Sequence, residues 1–274
     1  MNKKSIRRRV GKKESKQTFD KYFYYRKAVQ STEGDIDFLN KTYKELKGKK
    51  ARTLREDFCA AGALSVEWVK KDSKNTAYGL DLDPEPMEYG KSHYIAKLSP
   101  SQQKRVHLLE KNVLEQGLPK VDLSIAMNFS YFCFKSRAVM KAYFENVYKS
   151  LNKDGLFICD IFGGSQCYDA IVDKTKHKGF TYYWDQTNFD PVTNEALFYI
   201  HFKIGSKKYE KVFTYDWRLW SISELREIMG DVGFKKTHIY WEGTTRNGTG
   251  DGVFTRTEKG EACLSWIAYI VAEK

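Results

Sequence analysis

Between Arg52 and Asp83 the chain reads RTLREDFCAAGALSVEWVKKDSKNTAYGLDLD, and no other stretch limits its possible folds as tightly. A run from Thr53 to Cys59 suits a short strand and ends in Ala60-Ala61-Gly62, small residues that let backbone approach a ligand closely. Leu64, Trp68 and Val69 then fall at i, i+4 and i+5, which gives a helix one apolar face to lay on a sheet. A second strand, Ala77 to Leu82, stops at two acids, Asp81 and Asp83. In an open parallel sheet, ligands bind beyond the carboxyl ends of the strands, where a carboxylate can accept hydrogen bonds from both hydroxyls of a ribose. Asp81 lies 24 residues beyond Asp57, a spacing that suits this role.

The later chain extends the pattern. Pro84-Glu85-Pro86 opens a helix through Lys97, because proline is tolerated in a first turn. Val106 to Val113 reads as a third strand, and Val121 to Met127 as a fourth that runs into Asn128-Phe129-Ser130-Tyr131-Phe132. Ala138 to Leu151 is a helix with Met140, Tyr143, Phe144, Val147 and Leu151 on one face. Asp154-Gly155 turns it into a fifth strand, Leu156 to Phe162. Ser221-Ile222-Ser223-Glu224 is a capping box opening a helix that Gly233 stops, and strands over Thr237 to Trp241 and Leu264 to Ala272 follow. Between Phe162 and Ser221, aromatic and polar residues alternate around turns at Val192-Thr193-Asn194 and Ser206-Lys207-Lys208, which predicts an antiparallel β-unit.

LREDFCAAG followed by GLDLD resembles the first two motifs of the class I S-adenosylmethionine-dependent methyltransferases, most closely a subgroup with a LREDFC-type first motif. The usual turn alternates three glycines. Here Phe58 and Ala60 hold the first two of those places and only Gly62 remains. A nicotinamide-binding reading suits this turn less, since a pyrophosphate needs close backbone approach at the helix N-terminus. The resemblance implies an α/β fold: a Rossmann-like seven-stranded, mostly parallel sheet with an antiparallel C-terminal strand. The methyltransferase core is expected over 19–162 and 221–274, with 163–220 a small antiparallel β insertion acting as a substrate lid.

The resemblance further implies S-adenosyl-L-methionine as cofactor, with Glu56 or Asp57 near its methionine amino group, Gly62 at close backbone approach, Asp81 on the ribose, and Asn112 and Val113 near adenine. Asp83 reads as a helix-starting acid, and Asn112 has an ordinary turn role as its alternative. Asn128 and Tyr131 occupy the catalytic edge, where amino-group methyltransferases hold a target nitrogen, although the prolines usual there are missing. Tyr24 or Tyr25 closes over the cofactor, or packs under the sheet. Asp216, Arg218, Trp220, Trp241 and Glu242 are the candidate substrate contacts, with a structural Asp216 to Arg218 pair as the alternative for the first two. Glycine-rich Arg246 to Gly252 follows no phosphate-loop pattern and reads as a moving loop.

Charge and cysteine usage bound the partners. Of the net charge of +12, residues 1–16 carry +7, so most of the basicity is a tail over 1–18, expected to be disordered. The tail lacks the apolar run of a secretory signal, and nothing resembles a membrane span. Five cysteines without a CxxC pair argue against a disulfide framework or zinc cluster, so no metal is expected and the cytoplasm fits. The function expected is methyl transfer to a small molecule or metabolite. RNA modification using the basic tail is one alternative, and a non-catalytic nucleotide-binding or scaffold module another.

Overall fold

A computed structural model describes residues 19–274, so the basic tail, and with it the main support for RNA binding, lies outside the described residues. Two helices, α1 (Lys21–Val29) and α2 (Thr32–Lys47), precede a regular alternation. It runs β1 (Thr53–Asp57), α3 (Ala63–Lys71), β2 (Thr76–Asp81), α4 (Pro84–His93), α5 (Pro100–Gln103), β3 (Val106–Glu110) and β4 (Val121–Ala126). Then come α6 (Arg137–Ser150) and β5 (Leu151–Gly163). Four strands follow, β6 (Ile171–His177), β7 (Phe180–Asp190), β8 (Glu195–Ile204) and β9 (Lys207–Arg218). The chain returns through α7 (Ile222–Val232), β10 (Lys236–Thr244), β11 (Gly250–Thr257) and β12 (Trp266–Glu273).

The main sheet has the order β11-β10-β12-β5-β4-β1-β2-β3. Strands β3, β2, β1, β4 and β5 pair in parallel, whereas β12 runs antiparallel between β5 and β10. The expected seven strands are therefore joined by an eighth, β11, a hairpin partner of β10. It replaces part of the loop expected over 246–252. Phe254 on β11 packs against Tyr269 and Phe38, and that apolar contact draws the segment onto the sheet. The chain runs outward from β1 to β3, then resumes at β4 on the other side of β1. The β1/β4 boundary is thus the point where strand order reverses, and open α/β sheets place ligands there.

Apolar faces cover both sides of this sheet. Met140, Tyr143, Phe144 and Val147 of α6 and Leu225, Ile228 and Met229 of α7 pack on one side. On the other lie Ile36, Leu39 and Tyr43 of α2 with Leu64, Trp68 and Val69 of α3. Helix α2 escaped the sequence reading although Ile36, Leu39 and Tyr43 repeat at helical spacing, because its polar residues outnumber its apolar ones. The caps follow the sequence closely. Asp83 accepts the Glu85 N–H at 2.9 Å and starts α4, and Ser221 and Glu224 cap α7 reciprocally.

Strands β6 to β9 form a separate four-stranded antiparallel meander. Helix α1 lies against it, with Phe19, Tyr24, Tyr25 and Val29 packed on Phe180, Ile200 and Phe202.

Candidate functional site

The turn after β1 takes an unusual backbone path. Phe58, Ala60 and Gly62 have φ of +59°, +46° and +67°, so the chain alternates into the left-handed region at the three places where glycines are usual. A side chain there costs about 1–3 kcal/mol, so the surroundings must hold the turn in place. Cys59 N–H donates to the Leu80 carbonyl at 2.9 Å, and Gly62 N–H to the Cys59 carbonyl at 2.7 Å. Ala60 N–H donates to Asp81 Oδ2 at 2.7 Å. Close packing completes the grip. A Cβ on Gly90 of α4 would lie 2.1 Å from the Ala61 carbonyl oxygen, and one on Gly79 of β2 would lie 2.9 Å from Cys59 Sγ.

Buried carboxylates surround this turn. Glu56 Oε2 accepts Ser65 N–H at 2.8 Å and Ser65 Oγ–H at 2.6 Å in the first turn of α3. Burial nevertheless pushes its carboxyl up to about 7, with the nearby Asp81 charge adding to the rise. Asp81 also accepts Asp83 N–H at 3.0 Å, and it remains partly exposed at the strand end.

A second strained turn lies across the β1/β4 boundary. Asn128 and Phe129 both have φ of +58°, so four of the six non-glycine residues with positive φ among the described residues sit after β1 or β4. Asp160 of β5 holds this turn, its carboxylate accepting Asn128 N–H at 2.6 Å and Phe129 N–H at 2.9 Å. Burial raises Asp160 to about 7, against the pull of those two bonds. Asp35 of α2, which accepts the Tyr269 hydroxyl at 2.9 Å, is likewise raised by burial to about 6. Sequence reasoning missed Asp160 because nothing in its strand, LFICDIFG, separates it from an ordinary strand-end acid.

Several expected site residues have other work. Asp57 faces α6, where it receives Arg55 Nε at 2.8 Å, an Arg55 terminal nitrogen at 3.0 Å and the Tyr143 hydroxyl at 2.9 Å. Glu56 and Asp57 are strand neighbours and point to opposite faces, so only Glu56 lies on the α3 side. Val113 is core, its carbonyl taking the Asn146 amide at 3.3 Å. Asn112 Oδ1 accepts Leu114 N–H at 2.9 Å, the turn role weighed as its alternative. Tyr131 is wholly buried and donates to the Asp160 carbonyl at 2.8 Å, so its neighbour Phe129 is the ring that reaches open space.

The expected substrate contacts are displaced in a systematic way. Asp216 pairs with Lys135 at 2.6 Å, and Arg218 pairs with Glu224 at 3.0 Å rather than with Asp216. Arg218 also stacks on Trp220, 3.8 Å from the ring centroid, while Trp220 Nε1 donates to the Phe134 carbonyl at 3.1 Å. These residues clamp the second sheet to the core. Trp241 packs on Trp266 with tilted rings 4.8 Å apart, and Glu242 accepts Gly252 N–H at 3.1 Å inside the β10–β11 hairpin. The cause on β9 is strand alternation. Tyr215 and Trp217, the odd-numbered partners of Asp216 and Arg218, face the open space.

That space is a cavity of about 310 Å³ between the second sheet and the main sheet. Asn128 and Phe129 from the β4 turn, Tyr25 and Val29 from α1, and Trp184, Tyr215 and Trp217 from the second sheet line it. Of the two tyrosines weighed for closure, Tyr25 lines the cavity and Tyr24 packs on Phe180 at 5.0 Å.

No protein-family model matches the chain, and no curated protein does either. Solved structures match across its length. A methyltransferase from Clostridium acetobutylicum described as S-adenosylmethionine-dependent superposes with a TM-score of 0.67 over 92% of this chain and 96% of its own, at 16% identity. The fold is that of the S-adenosylmethionine-dependent methyltransferases. An amino-pentose methyltransferase from Micromonospora echinaspora, solved with S-adenosylmethionine bound, has a TM-score of 0.66 over 93% of this chain and 97% of its own, at 14% identity. A sugar N-methyltransferase from Streptoalloteichus gives 0.63 over 100% and 98%, at 12% identity. The methyltransferase fold therefore extends over the second sheet as well as the Rossmann-like core. Among the described residues, no cluster of histidine, cysteine or carboxylate could hold a metal, and no helix is long and apolar enough to cross a membrane.

Proposed function

We propose that this chain transfers a methyl group from S-adenosylmethionine to a small molecule held in the cavity under the second sheet. The observation that carries this reading is the pair of left-handed turns after β1 and β4, flanking the point where strand order reverses and backed by Glu56, Asp81 and Asp160. The cofactor would supply a methyl group activated on a sulfonium. Its sulfonium and amino group are both cationic, and the carboxylates at these turns suit them. Asp81 keeps lone pairs for ribose hydroxyls beyond the two backbone N–H groups it already accepts. Gly62 would allow close approach at the start of α3, and the Asn112 amide nitrogen, whose oxygen is taken by Leu114 N–H, would be left for an adenine edge.

The acceptor would sit beside Asn128 and Phe129, with Asp160 fixing that turn. Glu56 anchors the start of α3 through Ser65. Holding both reactants in line is the main catalytic contribution, supplying roughly 7–11 kcal/mol of the barrier. The second sheet and α1 act as the lid that excludes water. Neighbours described as methylating an amino pentose and a sugar nitrogen support a small-molecule acceptor.

Calorimetric titration with S-adenosylmethionine and S-adenosylhomocysteine, beside NAD and ATP, tests the proposal. Both sulfur nucleosides should bind, and Asp81→Ala should weaken them at least about ten-fold, the loss of a charge-assisted hydrogen bond to the ligand. Binding of NAD or ATP alone would sink it.

A further inference from the structure

Among the described residues, seven of the eighteen that line the cavity are aromatic, and the only charged one is Asp173. No lysine, arginine or histidine among the described residues lines it, although the chain carries 47 Lys and Arg against 35 Asp and Glu. An anionic ligand would therefore find no counter-charge among these residues. Trp184, Tyr215 and Trp217 form a continuous group of rings, with centroids 5.9 Å apart for Trp184 and Tyr215 and 4.5 Å apart for Tyr215 and Trp217. Ring faces carry the negative side of the aromatic quadrupole and attract cations that have shed their water. Asp173 adds a negative charge from β6 on the lid side, and Asp160 lies directly behind Asn128 and Phe129 on the core side. The volume, about 310 Å³, is that of a small-molecule site.

We infer that the cavity recognises a small amine in its cationic form, held over the faces of Trp184, Tyr215 and Trp217 with Asp173 as counter-charge. The inference rests on the cavity being the acceptor site, and it makes nitrogen the acceptor atom. The ammonium first releases one proton to solvent. The nitrogen lone pair then forms the new C–N bond while the methyl C–S bond breaks, its electron pair staying on sulfur as a neutral thioether. The product is again a cation, so the same rings suit the substrate before transfer and the methylated amine after it.

The test uses two probes of equal shape on the full chain without cofactor: choline and its uncharged carbon isostere, 3,3-dimethylbutan-1-ol. Calorimetry gives the affinities, and tryptophan fluorescence reports contact with Trp184 and Trp217. Choline should bind about ten-fold more tightly than the isostere or better. Trp184→Leu and Asp173→Asn should each cut that ratio at least about three-fold, while Trp184→Phe, which keeps a ring face, should preserve most of it. Circular dichroism confirms that each variant folds. A ratio near one, or no binding of either probe, overturns the inference. If that happens while S-adenosylmethionine still binds, the methyl-transfer proposal stands. A high ratio in a protein that binds no sulfur nucleoside overturns methyl transfer and leaves the amine site.

Discussion

Phe58 and Ala60 hold a left-handed backbone that favours glycine, and their side chains separate two effects that glycine would merge. Ala60→Gly relieves strain but loosens the unfolded chain, so its stability should stay within about 1 kcal/mol of the parent. Ala60→Val puts a β-branched residue at positive φ and should lose about 2 kcal/mol or more, read as a shift in the denaturation midpoint at constant slope. Asp57 and Asp81 make a similar contrast. Removing Asp57 strands the fully buried Arg55 guanidinium, so Asp57→Ala should cost about 3–5 kcal/mol of stability. Asp81→Ala should act mainly on cofactor affinity. The sequence places both acids at strand ends, but it takes the β1 side-chain directions to tell a core ion pair from a ligand contact.

At the scale of elements, legibility follows periodicity. The β-α alternation, the α7 capping box and the antiparallel character of residues 171–218 are all written in local pattern. Ser221→Ala should accordingly cost about 1 kcal/mol, measured by thermal unfolding. Strand β9 shows where pattern stops. The string YDWRLW announces a half-buried strand, but which set of alternate residues faces the cavity depends on what the other set can grip. Burial of Trp217 turns its set inward, and Lys135, 81 residues before Asp216 in sequence, pairs with Asp216 and Glu195 on the other side. At Trp241 and Glu242 the glycine-rich run 246–252 hides a hairpin, and β11 pairs along their end of β10.

For the whole molecule, the buried acids set a pH dependence. Glu56 and Asp160 are both held at about 7, above the ordinary carboxylate range. A carboxyl raised by folding contributes stability in acid that is lost as pH climbs through its folded value, so the unliganded protein should become less stable between about pH 5 and 8. A cationic cofactor reverses the preference, because it favours the charged carboxylate and expels the proton. S-adenosylmethionine affinity should therefore rise with pH up to about 7 and then level off. Proton release should appear as a binding heat that depends on the buffer's ionisation enthalpy. A pH-flat affinity would mean that neither acid senses the ligand's charge.

The place of β12 between β5 and β10 also governs how the molecule can be assembled. The β10–β11 hairpin of residues 236–257 emerges first, yet it joins the rest of the main sheet only when residues 266–273 slot in beside β5. Until then β5 presents an unpaired edge carrying Phe157, Ile158 and Cys159, the kind of surface that recruits strands from other molecules. A growing chain of this protein is thus most prone to aggregation before its sheet closes, and a chaperone that shields that edge would act over the stretch of synthesis from Gly163 to Trp266.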